Sequence, residues 1–371
     1  MKVALVYNLK KEVLGQQVTV VDESLEPPSQ AVDEEVLTLQ RPRSTSQAVR
    51  NPRKNDFYAE WDTLETITAV KKALQERHNV TLIEANDRAF RKFQQLQPDF
   101  VFNMAEGLLG PSRESQIPAI LEMLDLPYTG SDPLTLGICL DKSRAKEILC
   151  YHNIPTPPFT VLTDLRELDA ARLSFPVVVK PLHEGSSKGI YSTSVVYTME
   201  ELTAQVALVL DVYGQPALVE NYLPGQEFTV ALLGNGKALT VLPMVEIRFD
   251  SLPEGVKPIY SYEAKWIWDQ LVNPLDIFEC PAKIDSVLGK KIQDVCRRAF
   301  RVLRCRDWCR IDVRLDKFGD PHILELNPVP GILPNPEDNS CFPKAARAAG
   351  MTYGELVNSV LDIAAKRCGM L

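Results

Sequence analysis

The chain has 371 residues, 45% of them hydrophobic and 24% charged, with a formal net charge of −8 and a pI near 5.3. That length holds two or three domains with cores of their own, and the composition is that of a soluble globular protein. The acidic balance argues against a nucleic-acid partner, and no apolar run approaches the ~20 residues of a membrane-spanning helix. The opening Met1-Lys2-Val3-Ala4-Leu5-Val6-Tyr7 is too short for a signal peptide, which predicts a cytosolic protein. Eight cysteines include no C-x-x-C pair, and Cys296, Cys305 and Cys309 have no nearby His to complete a zinc set, so reduced thiols are expected.

Residues 3–8 read as a short buried strand of a parallel sheet. Residues 9–55 break the α/β rhythm with Pro, Gln, Ser and scattered charge. They read as a surface insertion, with a hairpin around 18–22 and 36–39 and a mobile part near 41–55. Regularity resumes with Leu64, Ile67, Val70, Lys71 and Leu74 at helical spacing behind Asp62 or Thr63 as N-cap. A strand at 79–83, a short helix at 90–96, a strand at 100–103 and a helix at 117–124 follow. This alternation predicts a small doubly wound domain ending near residue 138. The loop Met104-Ala105-Glu106-Gly107 leaves a strand's carboxyl end, where such sheets bind ligands.

Asp141-Lys142 opens a helix through Cys150, and residues 175–181 form an apolar strand that delivers Lys180. In the turn 183–190, two glycines and two serines let backbone amides approach phosphate oxygens. A helix at 200–210, a strand at 217–222 and an antiparallel set from 226 to 244 come next. Residues 248–278 are loop-rich, the kind of segment that covers a site. A helix at 284–303 and a helical tail after 343 flank a hairpin. There is no Walker A sequence and no strand-borne G-x-G-x-x-G.

The hairpin joins residues 310–315 to 321–327 through Asp316-Lys317-Phe318-Gly319-Asp320. Strand side chains two apart share a face, so pairing there brings Asp312, Glu325 and Asn327 together with Arg310 at the rim. Two carboxylates and an amide oxygen suit Mg²⁺ held partly by protein and partly by phosphate. Arg310 is no ligand, but it can neutralise a developing anion. The alternation also describes a half-solvated sheet; the lysine- and glycine-bearing stretches upstream favour the site.

The ordered motifs are Pro127-Tyr128-Thr129-Gly130-Ser131, Asp141-Lys142, Val179-Lys180-Pro181, Glu184-Gly185-Ser186-Ser187, Glu227-Phe228-Thr229-Val230, Tyr262-Glu263-Ala264-Lys265, Arg310-Ile311-Asp312 and Glu325-x-Asn327-x-x-Pro330-Gly331. Together they resemble the D-alanine–D-alanine ligases of the ATP-grasp superfamily, over roughly residues 57–365 plus the first strand. The resemblance implies an α/β and α+β chain, an ATP-grasp fold preceded by a small doubly wound parallel-sheet domain. The domains would be 1–138 with the insertion 9–55, 139–220 and 221–371. It implies ATP between the last two, with Lys142, Lys180 and Lys265 near the phosphates and the loop bearing Glu184, Gly185, Ser186 and Ser187 folded over them. Glu220 would lie beside the adenine and Glu227 would take the ribose hydroxyls. Asp312, Glu325 and Asn327 would hold two Mg²⁺, with Mn²⁺ an admissible substitute. Arg310, Ser186, Lys265 and the backbone near Gly331 would form the catalytic group. The implied chemistry is phosphoryl transfer to a carboxylate, then amine attack on the acylphosphate to give an amide, ADP and phosphate. The implied partners are amino-acid substrates, and the resemblance admits a homodimer.

The departures from the family pattern gather on the amino-acid side. Where the family has glycines and an ammonium-binding Glu after strand one, this chain has Asn8 and the insertion. Ala59-Glu60-Trp61-Asp62 is the candidate counterpart, with Asp62 or Glu60 as ammonium partner. The family's His-Gly pair is Glu106-Gly107, and the Tyr after Glu-Ala-Lys is Trp266, whose indole only donates. Residues 334–339 are inserted before Ser340, whose family counterpart helps hold the second carboxylate. Glu106 would pair a second amine or reject a second carboxylate, so amino acids other than D-alanine stay open as substrates. A non-catalytic ATP-binding regulator is the reading from another class. It would need the loss of a metal ligand, a phosphate lysine or Arg310, and all are present.

Overall fold

The computed structural model describes residues 1–10, 56, 59–107, 109–168, 174–250, 252, 255–268 and 277–371. The hairpin and mobile part expected within the insertion lie outside them.

The apolar run at the start forms β1 (Lys2–Tyr7), buried from Val3 to Val6. Thr63 caps α1 (Leu64–Gln75) by accepting from the Thr66 amide at 3.2 Å, settling which of the two candidates starts the helix. Then come β2 (Asn79–Glu84), α2 (Ala89–Leu96), β3 (Phe100–Asn103) and α3 (Gln116–Met123). The three strands pair in parallel in the order β2-β1-β3. Alternation on β1 sends Val3 and Leu5 to one face and Ala4 and Val6 to the other. Phe93, Ile117 and Leu121 from α2 and α3 cover the second face. The first face is covered by α1 and by a helix from the far end of the chain.

α4 (Pro133–Leu140) was not foreseen, because Pro-Leu-Thr-Leu-Gly-Ile-Cys-Leu is too evenly apolar to show a helical stripe. Its signals were Asp132 as cap and Pro133 in the first turn. α5 (Lys142–Tyr151) starts on Asp141, which accepts from the Ser143 and Arg144 amides.

A second sheet holds β4 (Phe159–Leu162), β5 (Val177–Pro181), β6 (Val195–Val196) and, after α6 (Met199–Leu208), β7 (Ala217–Asn221), in the order β4-β7-β5-β6. All its pairs are antiparallel, and Leu202 and Val206 of α6 pack on Val177, Val179 and Val219.

The third sheet contains β8 (Glu227–Leu233), β9 (Thr240–Val241), β10 (Val245–Ile247), β11 (Phe278–Glu279), β12 (Trp308–Leu315) and β13 (Pro321–Asn327). Its order is β11-β10-β8-β12-β13, with β9 beside β8. α7 (Ser286–Val302) lays Ile292, Cys296, Ala299 and Phe300 on one face together with Ala145 and Leu149 of α5. α8 (Cys341–Ala348) and α9 (Tyr353–Arg367) complete the chain. α9 is the far helix that covers β1: Leu356, Val360 and Leu361 share a core with Val3, Leu5, Val70 and Leu74, and the Asn358 amide donates to Ala73 O at 2.9 Å. All eight cysteines are free, as expected of reduced thiols. No helix among the described residues is long and apolar enough to cross a membrane.

Candidate active site

The second and third sheets face each other across an open cleft roofed by residues 255–268. On the second sheet β5 and β7 are neighbours and bring Lys180 beside Glu220, to which it is ion-paired. Lys146, on the buried face of α5, reaches the same carboxylate at 2.9 Å and donates to Thr156 Oγ1 at 2.7 Å. Burial works against the Glu220 charge, but Lys146 and Lys180 outweigh it and hold the carboxyl down at about 2. Two lysines on one carboxylate leave a surplus positive charge. Lys142 donates to Glu184 O, and its Nζ lies 3.6 Å from Glu325 Oε2.

The glycine–serine loop approaches from above. Ser186 and Ser187 adopt the left-handed backbone at φ 49° and 60°, a conformation that costs free energy in any residue with a Cβ. Its surroundings hold it there. Ser187 Oγ donates to Tyr260 O at 2.9 Å, and the Trp266 indole donates to Ser186 O at 3.1 Å. The Gly185 amide donates to Glu60 Oε1 at 2.6 Å, and a Cβ at 185 would meet that oxygen at 2.6 Å. Lys265 Nζ stands 3.5 Å from Ser186 Oγ, and burial, with Arg310 nearby, lowers it to about 8.

On the third sheet the register places Asp312 opposite Glu325 and Arg310 opposite Asn327. Arg310 donates to both Asp312 oxygens at 3.1 Å and lies 3.8 Å from Glu325. Burial raises Asp312, and the Glu325 charge adds to the rise. Asn327 Oδ1 accepts from the Val329 amide at 3.2 Å, which aims its amide without using both lone pairs. No three His, Cys, Asp or Glu side chains gather as a metal set among the described residues. Two carboxylates and an amide oxygen are a different set, and like charges opposed across a ladder suit a hard cation. On β8, burial raises Glu227, against the pull of Arg314.

The end of the cleft around Glu60 and Asp62 is built from connecting segments. After the insertion the chain returns to the carboxyl end of β1. Leu9 bridges Asp62 in parallel, and the Asp62 amide donates to Asn8 O at 3.0 Å. Arg113 donates to both oxygens of Glu60 at 2.8 Å and to His183 O at 2.7 Å, while Lys188 lies 2.6 Å from Glu184. Asp62 faces the cleft with its carboxylate free of hydrogen bonds and ion pairs among the described residues, and burial alone raises it well above the usual range. Glu106 lies outside the cleft lining, pushed far up by burial and by Glu114; burial also lifts Glu114 to about 7, against Arg113. Ser340 Oγ donates its one proton to Gly331 O at 3.2 Å and accepts from the Leu333 amide at 3.2 Å.

Of the residues singled out in the sequence, Glu60, Asp62, Lys180, Glu184, Gly185, Ser186, Ser187, Glu220, Glu227, Lys265, Trp266, Arg310, Asp312, Glu325, Gly331 and Ser340 line this one cleft. Lys142, Asn327 and Glu106 are not among its lining, though Lys142 Nζ reaches the lining residues Glu184 and Glu325. Lys146, Arg113 and Arg314 escaped the sequence reading. Lys146 had a usable signal: it follows Lys142 by four, on the face of α5 that also buries Ala145 and Leu149.

Comparison with known proteins agrees with this architecture. Residues 150–362 match the family described as D-ala D-ala ligase C-terminus. A D-alanine–D-alanine ligase from Bordetella petrii is 35% identical over 76% of this chain and 81% of its own length. An uncharacterized protein, y4sG, from Sinorhizobium fredii is 38% identical over 83% of this chain and 89% of its own. Among solved structures, a Bacillus anthracis D-alanine–D-alanine ligase complexed with ATP superposes with TM-score 0.67 at 20% identity, covering 99% of this chain and 98% of that one. A second structure of a Bacillus anthracis D-alanine–D-alanine ligase gives TM-score 0.64 at 25% identity over 82% and 92%. The fold is an ATP-grasp fold behind a parallel-sheet unit, the architecture of ATP-dependent ligases. The chain belongs to the D-alanine–D-alanine ligase family.

Proposed function

We propose that the protein joins the carboxylate of one amino acid to the amine of another, as a D-alanine–D-alanine ligase does, consuming ATP and releasing ADP and phosphate. The observation that carries this is one cleft that gathers Lys180, Lys265 and the glycine–serine loop with Arg310, Asp312 and Glu325. In this reading Glu220 sits beside the base and Glu227 accepts from the ribose hydroxyls. Lys142, Lys180, Lys265 and the amides of the 184–189 loop surround the phosphates. Asp312, Glu325 and Asn327 would hold Mg²⁺, two ions or Mn²⁺ in their place. Bound there, the metal would neutralise phosphate charge, which together with alignment is most of what phosphoryl transfer needs.

A substrate carboxylate oxygen bonds to the γ-phosphorus as the bond to ADP breaks, giving an acylphosphate. The second amine adds to the acyl carbon. The carbon–oxygen bond to phosphate then breaks, phosphate departs with that electron pair, and the amine gives up a proton. Arg310 and the amide near Gly331 face the oxyanion of the tetrahedral intermediate. Of the two candidate ammonium partners Asp62 fits better, because Arg113 and the Gly185 amide already occupy Glu60. Trp266, tied to Ser186, closes the roof against water.

The second reading is a pair other than two D-alanines: the Ser340 hydroxyl is turned to Gly331 O and has to rotate before it can serve a substrate carboxylate. The test is ADP and phosphate release with Mg-ATP and D- and L-amino acids, singly and in pairs, with mass spectrometry of the products. D-alanine alone driving dipeptide formation would establish the first reading, and turnover with another pair only would establish the second. Silence across the whole panel sinks both.

A further inference from the structure

Arg314 lines the cleft two residues beyond Asp312, and the reaction described above gives it no task. It is only 4% exposed, a costly place for a guanidinium unless its donors are used. β12 pairs with β8 so that Arg314 stands directly opposite Glu227. One terminal nitrogen donates to Glu227 Oε2 at 2.8 Å. The other donates to Pro258 O at 2.6 Å and to the Tyr222 hydroxyl at 3.1 Å. The Tyr222 and Phe249 rings lie 4.9 and 5.2 Å from the guanidinium carbon. Nε is buried without a hydrogen-bond partner among the described residues. Glu227 Oε1 makes no hydrogen bond among the described residues, and the side chain faces the cleft. One oxygen is pinned and the other is offered. A planar fork wedged between two rings cannot turn without losing several contacts at once.

We propose that Arg314 is a positioning residue that fixes the Glu227 carboxylate against a vicinal diol of the nucleotide and couples that contact, through Pro258, to the seating of the roof segment that carries Lys265. The inference rests on the reading of Glu227 as the ribose partner. Three parts of the fold meet at this guanidinium: the start of β8, the residue after β7, and the roof. Recognition of the sugar and closure over the phosphates then share one hinge pin, and a nucleotide lacking a hydroxyl seats the roof poorly.

The experiment measures kcat and KM for ATP, 2′-deoxyATP and 3′-deoxyATP in the wild type and in Glu227→Gln, Arg314→Met and Arg314→Lys. The wild type is expected to prefer ATP over a deoxy analogue by roughly tenfold or more, since a missing hydroxyl strands a buried polar group. Arg314→Met should bring that ratio down to the Glu227→Gln level and lower kcat. Arg314→Lys keeps a cation near Glu227 but not the fork to Tyr222 and Pro258, so kcat should fall several-fold with part of the ratio kept. Equal losses on all three nucleotides in Arg314→Met, with the ratio intact, would mark a merely structural arginine and overturn the proposal. If that variant does not fold, Arg314→Lys decides: a lowered kcat together with a reduced ratio supports the proposal, and an unchanged ratio overturns it, whatever happens to kcat. A wild type indifferent to the deoxy analogues, yet losing rate in Arg314→Met, would instead remove the reading of Glu227.

Discussion

At the proposed nucleotide end of the cleft the side chains ride on paired strands: Lys180 on β5, Glu220 on β7, Glu227 on β8, Asp312 on β12 and Glu325 on β13. At the proposed amino-acid end Glu60, Asp62 and Ser340 come from connecting segments, Trp266 from the short π-helix Ala264–Trp268, and Arg113 and Glu114 from a single turn of 3₁₀ helix. A ladder fixes which residues face each other, as the direct pairing of Asp312 with Glu325 shows. A connecting segment is fixed only by what it touches, here the bonds of Arg113 to Glu60 and of Glu60 to the Gly185 amide. One end is specified by register and the other by tertiary contacts, and their responses to mutation should differ accordingly.

The largest difference between the two ends is expected at the proposed metal face. Asp312→Asn or Glu325→Gln should lower turnover by about 10²–10³ or more while the thermal midpoint stays near that of the wild type. Wild-type rates in both variants would remove the metal assignment. Next is Glu220→Gln, which leaves Lys146 and Lys180 buried together without their anion. Breaking such a pair costs about 3–5 kcal/mol, read as a lowered urea midpoint. At the other end, Asp62→Asn should raise the amino-acid KM by roughly tenfold and leave the ATP KM alone. Burial raises the Asp62 pKa, so its carboxylate forms only above the usual carboxylate range. The wild-type amino-acid KM should therefore fall as pH rises through that raised value, and Asp62→Asn should flatten the dependence. The smallest change is Trp266→Phe. It removes one hydrogen bond to Ser186 O, and kcat/KM should drop about two- to tenfold. A drop as large as that of the metal-face variants would mean that the roof, and not the ladder, governs the chemistry.

The same division decided what could be read from the chain alone. Alternation along 310–315 and the apolar run before Lys180 announced strands, but it is a register shift just after Asp312 that sets Asp312 opposite Glu325, and the period of two alone does not supply it. Lys146 was legible only in part: it shares a helix face with Ala145 and Leu149, but its partners Thr156 and Glu220 lie ten and more than seventy residues away. Arg113 was hidden in the same way, since Glu60 reaches it across 53 residues, on the far side of β2 and β3. Arg314 was in plain view within the hairpin, but the strand pattern alone does not reveal Glu227 opposite it. α4 carried no periodicity to find, only its cap.

The covering of β1 by α9 bears on the order of synthesis. Val3 and Leu5 leave the ribosome long before Leu356, Val360 and Leu361, with which they share a core. The part of that face which α1 leaves open therefore stays uncovered until almost everything between has been translated. The N-terminal unit cannot finish folding ahead of the rest, as the first domain of a multidomain protein ordinarily does. A nascent chain stalled before residue 353 should display that face to chaperones, while one stalled after 367 should not.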